Sequence, residues 1–109
     1  MGKVMQEEFR LFYKILKRLK DGLKVESSDI DSISPESLNI SPTYWRNLMD
    51  ILVSNGYIKG VEVKRILGGD KRVYGTKPEI TLKGLEYLEE NNLMKRARNL
   101  AKGIGDIIH

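Results

Sequence analysis

The sequence predicts an α+β domain in which three helices lead into a β-hairpin and further helices follow it. Three observations carry this reading. Residues 41–58, SPTYWRNLMDILVSNGYI, hold a helix start, an apolar stripe and a helix stop in register, and a strand follows at once. Residues 57–67, YIKGVEVKRIL, are rich in β-branched side chains, alternate over VEVKRI, and run into Gly68-Gly69. Residues 80–91, ITLKGLEYLEEN, read as a strand end passing directly into a helix.

Each element has its own warrant. A first helix is expected over about 7–21. Met5, Phe9, Phe12, Leu16, Leu19 and Leu23 recur at spacings of three and four, leaving Arg10, Lys14, Lys17 and Asp21 outward, and Gly22 ends it. From Leu23 to Asn39 the pattern is weaker. Ser27-Ser28 and the acids after them read as a helix start, while Pro35 interrupts any continuous helix. A short second helix or helical turn over about 29–38 is therefore expected, with Asn39 as a left-handed turn residue and Ile30, Ile33, Leu38 and Ile40 filling the core. The third helix spans about 42–55. Ser41 is its N-cap, Pro42 its first residue, Trp45, Leu48, Met49 and Leu52 its buried face, and Asn55-Gly56 its stop.

Hairpin strands are expected at about 57–67 and 72–80, with residues 68–71 turning between them and Gly75–Pro78 bulging. Thr81 caps a fourth helix over 82–91 with Leu82, Leu85 and Leu88 inward, and a terminal helix follows over about 93–107. Over roughly residues 7–90 this order resembles a winged helix-turn-helix, a three-helix core plus a β-hairpin wing, here with additional C-terminal helices. Residues 1–91 would be that domain and 92–109 an amphipathic helix for docking or dimerisation.

Composition narrows the function classes. A chain of 109 residues makes one domain. No apolar run approaches the roughly 18 residues that cross a bilayer, and the N-terminal MGKVMQEEFR lacks an apolar signal core. With no cysteine there is no thiolate nucleophile and no cysteine metal site, and a cytoplasmic location is the natural expectation. The single histidine, His109, is the last residue, and the adjacent acids Glu7-Glu8 and Glu89-Glu90 diverge on their helices. No enzyme, cofactor, metal or small-molecule substrate is expected.

The net charge of +4 is uneven. Basic residues dominate 3–24, 59–72 and 92–109, whereas in 26–50 Arg46 stands alone against Glu26, Asp29, Asp31, Glu36 and Asp50. The segment expected to read DNA is thus the acidic one.

Double-stranded DNA is nonetheless the leading partner. With Trp45, Leu48 and Leu52 inward, Thr43, Arg46 and Asn47 lie outward near the helix N-terminus, the end that enters a major groove. Arginine pairs bidentately with guanine and asparagine with adenine. Tyr44, one step round, either flanks the groove or caps the core edge. Lys64, Arg65, Lys71 and Arg72 surround the hairpin tip and suit phosphate or minor-groove contact, although hairpin edges also carry such residues merely to deter edge pairing. Asp50 would repel phosphate. In the tail, Leu93, Ala97, Leu100, Ile104 and Ile107 form a heptad-like seam for a homodimer or for docking on the domain itself. A winged helix used for protein–protein assembly without DNA is the alternative.

Three stretches are more particular: ISPTYW at 40–45, NGYIKGV at 55–61 and ITLKGLEYLEENNLMKRA at 80–97. Together they resemble the YjcQ-like family of small bacterial and prophage proteins, over nearly the whole chain. The resemblance implies a winged-helix fold and a phage or prophage setting, in which a regulatory role is plausible, and it brings no catalytic residues to carry over.

Overall fold

Two Ser-Pro pairs organise the middle of the chain. At each, the serine hydroxyl accepts a backbone N–H three residues on, and the proline takes the first helical position, where it has no useful amide hydrogen to lose. Ser34 accepts from the Ser37 N–H and Ser41 from the Tyr44 N–H, both at 3.1 Å. The structure, a computed structural model, describes residues 2–25 and 30–91, with side chains from residue 7 onward. Its elements are α1 (Gly2–Gly22), a 3-10 turn (Ile30–Ile33), α2 (Pro35–Leu38), α3 (Pro42–Ser54), β1 (Ile58–Lys59), β2 (Glu62–Arg65), β3 (Lys71–Tyr74), β4 (Glu79–Ile80) and α4 (82–91). The fold is α+β with small antiparallel ladders, in an order compatible with the expected winged arrangement.

The second helix differs from expectation. In place of one segment over 29–38 there are two short pieces, because Ser34-Pro35 is itself a start signal of the same kind as Ser41-Pro42. Ser27-Ser28 and Asp29 lie outside the described residues. Asn39 closes α2 in the left-handed conformation, φ 58° and ψ 47°, and three residues later α3 begins. Arg18 of α1 braces this region by donating to the Ser32 carbonyl at 2.9 Å and to Ser37 Oγ at 2.5 Å.

The hairpin is also broken in two. β1 pairs with β4, Ile58 opposite Ile80, and β2 pairs with β3, Val63 opposite Val73. Between the two ladders the chain kinks where Gly60 and Gly75 cross. Gly75 has φ +112°, and a Cβ there would stand 2.5 Å from the Gly60 carbonyl oxygen. The loop after β3 is tied to the helical half of the molecule, since Thr76 accepts the Ile30 N–H at 3.1 Å. The turn itself is Ile66–Asp70, closed by the Ile66 N–H on the Asp70 carbonyl at 2.8 Å, so Leu67 leaves the expected strand and Lys71 joins one.

The core gathers Leu11, Phe12, Ile15, Leu16 and Leu19 from α1, Ile33, Leu38, the α3 residues Leu48, Met49 and Leu52, then Ile58, Val61, Ile80 and Leu88. The α1 stripe is therefore wider than expected and rotated. Phe9, 47 % exposed, and Leu23, 58 % exposed, lie outside it, while Leu11 and Ile15 lie within. The reason is tertiary: α1 is covered by α3, the 3-10 turn and β4 together, and two adjacent rows of side chains are needed to meet them. Met5 falls outside the residues whose side chains are described.

α4 departs in the same way. Thr81 caps it, its Oγ1 accepting the Gly84 N–H at 3.1 Å while its hydroxyl donates to the Gly56 carbonyl at 2.6 Å. Leu82 is nevertheless 72 % exposed. α4 approaches the sheet through Gly84, whose added Cβ would stand 2.6 Å from both the Tyr57 carbonyl oxygen and Ile80 Cγ1. Two residues round the helix from that contact is about 200°, which turns Leu82 to solvent. Alanine in a helix normally improves on glycine by about 1 kcal/mol. Here the sign reverses, and Gly84→Ala is expected to destabilise by about 1–3 kcal/mol through overpacking. A urea denaturation midpoint at or above wild type would contradict the close approach.

Candidate nucleic-acid interface

The outward side of α3 and the hairpin face each other across an open groove of about 510 Å³, lined by Trp45, Arg46, Ile66, Asp70, Lys71, Arg72, Val73 and Tyr74. α3 carries its N-terminal half to one wall because Leu48, Met49 and Leu52 are buried on the opposite side. Arg46, which lines the groove, is half-buried and donates to Thr43 Oγ1 at 3.3 Å, whereas Thr43 and Asn47 are exposed on α3 outside the groove lining. Trp45 stands at the core edge with its Nε1–H on the Ile33 carbonyl at 2.6 Å. It is half-buried against the core, more open than the fully buried position expected of the stripe.

Tyr44 takes the core-edge position. Its hydroxyl oxygen is buried. Burial foremost, then the charges of Glu8 and Glu7, pushes the phenol up from an ordinary 10.0 to about 12. Tyr44 is thereby turned toward α1 and away from the groove in which Arg46 sits. In the unfolded chain the phenol ionises near its ordinary value while the folded chain still holds the proton. Its contribution to stability is full below pH 10 and is lost as the pH rises toward 12. Of the five tyrosines, one is expected to ionise last in a rapid pH-jump absorbance titration, and Tyr44→Phe should remove that step. A single common transition near pH 10 would refute the assignment.

The four basic residues of the hairpin do not make one patch. The pleat divides them, because neighbouring residues in a strand face opposite ways. Lys64 stands opposite Arg72 and Arg65 opposite Lys71. Arg65 and Lys71 share the face of Val63 and Val73, which pack toward the core; Lys64 and Arg72 share the outer face with Glu62 and Tyr74. On the outer face Lys64 lies 3.6 Å from Glu62 and over the Tyr74 ring at 5.7 Å.

On the inner face Lys71 Nζ meets Asp50 Oδ2 of α3 at 2.7 Å, the two side chains 18 % and 26 % exposed. Foremost this hydrogen bond, and then the Ser54 hydroxyl at 3.1 Å, hold Asp50 below the usual carboxylate range, against the opposing effect of burial. One contact thus changes two expectations. Lys71 is occupied holding the hairpin to α3, and Asp50, expected to repel phosphate, is neutralised by it. The sequence held no signal for this pair, because the partners are on different elements and meet only once the hairpin folds back.

A family model described as YjcQ protein matches residues 13–107, from within α1 to beyond α4. The chain belongs to the YjcQ family. No curated protein and no solved structure matched it. Within this YjcQ-family chain, the stretches 40–45 and 55–61 form the cap and exit of α3, and 80–91 forms the cap and body of α4. Among the described residues, no helix is long and apolar enough to cross a membrane, and no three metal-ligating side chains cluster. The seam residues Leu93, Ala97, Leu100, Ile104 and Ile107 lie outside the described residues.

Proposed function

We propose that this YjcQ-family chain is a winged helix-turn-helix module that binds double-stranded DNA, with α3 and the β2–β3 wing as its interface and a regulatory role in a phage or prophage setting. The observation that carries the reading is the groove between α3 and the wing. It brings Arg46 and Arg72 to one concavity while Lys71 cancels the one acid of α3. Thr43, Arg46 and Asn47 offer base-edge partners, and Arg65 and Arg72 offer phosphate contacts.

The test is titration of the full chain against a random and a sequence-selected duplex at two salt concentrations. Binding is expected to weaken steeply with salt, as phosphate contact requires. Arg46→Ala should cost about 1–3 kcal/mol on the selected site and much less on random DNA. No binding at low salt would overturn the reading in favour of an assembly module without DNA. The exposed Phe9, Leu23 and Leu82 favour that alternative, since they offer apolar surface away from the groove.

The tail bears on assembly under either reading. The sequence leads us to expect an amphipathic helix over 93–107, and a lone helix of that length is marginal in water, so its seam would need a partner. We propose a second copy of the chain. The full-length protein is then expected to sediment as a dimer and the truncation after Asn92 as a folded monomer. A full-length monomer would mean that the seam docks on its own domain, with truncation lowering stability instead.

A further inference from the structure

We propose that the wing tip is a minor-groove contact in which Leu67 is an apolar wedge. The inference rests on the DNA-binding reading and specifies how the wing takes part in it. Leu67 is 100 % exposed at the far end of the hairpin, where Val63 and Val73 pack on the core and Ile66 lines the groove toward α3. The turn around it is narrow and formed. The Gly69 N–H donates to the Ile66 carbonyl at 3.1 Å, and Gly68 and Gly69, at φ +93° and +87°, have nothing within 4 Å of where a Cβ would stand. Asp70, the acid of the turn, lines the groove toward α3.

Immediately behind this tip the register sets Arg65 against Lys71 and Lys64 against Arg72. Like charges directly opposite each other destabilise a ladder. Two such pairs in succession concentrate positive charge behind the tip. Glu62 and Asp50 offset Lys64 and Lys71, while Arg72 has no carboxylate within ion-pair distance among the described residues.

Dimensions favour the minor groove. That groove is about 6 Å wide, too narrow for a two-stranded ribbon with its side chains, but open to a single leucine carried on a Gly-Gly turn. A tip entering it would set Arg65 and Arg72, on opposite faces of the wing, against the phosphates on either rim. Apolar wedges of this kind partly unstack a base step and bend the duplex.

The experiment uses the full chain and an A·T-rich duplex with 2-aminopurine at a central step. Binding of the wild type is expected to raise the 2-aminopurine fluorescence, and netropsin, which fills the minor groove, should compete. Leu67→Ala should abolish the fluorescence change and weaken binding roughly tenfold, the scale of one lost apolar contact. Arg65→Ala with Arg72→Ala should weaken all duplexes alike and flatten the salt dependence. Leu67 touches nothing, so its replacement leaves folding intact.

Tight duplex binding that ignores both netropsin and Leu67→Ala would overturn the wedge while leaving the DNA reading in place. No duplex binding by the wild type would overturn both. Leu67-dependent binding to phosphatidylserine vesicles without duplex binding would assign the tip to a membrane surface and overturn the proposal.

Discussion

Trp45→Ala is expected to destabilise the fold by about 3 kcal/mol, at the lower end of losses for a large aromatic side chain. Two effects combine. The indole packs on the core between α3 and the 3-10 turn, and its removal leaves a gap that neither element can close alone. The Ile33 carbonyl also loses its 2.6 Å donor. Trp45→Phe separates them, keeping most of the ring volume while deleting the N–H, and is expected to cost about 1 kcal/mol. Denaturant midpoints of the two variants are the measurement. An alanine variant as stable as wild type would show that the indole contributes nothing to joining these elements.

Gly75→Ala is expected to cost about 2–4 kcal/mol, combining positive-φ strain with a backbone collision. At φ +112° an L side chain is strained whatever the space around it, and the added Cβ would meet the Gly60 oxygen at 2.5 Å and Val61 Cα at 3.1 Å. Both obstacles are backbone, so no rotamer change relieves them. Relief requires the β1–β4 and β2–β3 ladders to separate, and with them the Thr76 carbonyl that accepts the Ile30 N–H. Gly68→Ala is the control. It also sits at positive φ but in open space, so it should cost only the strain, about 1 kcal/mol. Equal losses at the two positions would show that the crossing is not the constraint.

Some features were legible because their causes are local. Ser41 and Pro42 start α3, Asn39 takes the left-handed conformation, Thr81 caps α4, and Gly75–Pro78 interrupts the hairpin, as the sequence predicts. A hydroxyl three residues from an amide, or a glycine at a turn, acts within one turn of chain and needs no partner from elsewhere. By the same logic Ser34-Pro35 is a helix start, a signal that reading Pro35 as an interruption leaves out. Hydrophobic spacing located the helices but gave their orientation less well. Periodicity marks a face, and the number of neighbours covering that face sets its width. Phe9 is exposed and Leu11 and Ile15 are buried for this reason, while the close approach of α4 at Gly84 turns Leu82 outward.

The chain by itself therefore determined where α3 begins and ends and where α4 begins, that the elements alternate from helix to hairpin to helix, and that basic side chains crowd the hairpin. The tertiary structure decided what those charges do. Strand alternation sent Lys64 and Arg72 to one face and Arg65 and Lys71 to the other, and the return of the hairpin onto α3 brought Lys71 to Asp50. It also turned Tyr44 toward Glu8 and left Leu67 alone at the tip. Caps and turns are written in neighbouring residues, whereas an ion pair between residues 50 and 71 depends on the distance between two elements, which packing sets and local sequence does not encode.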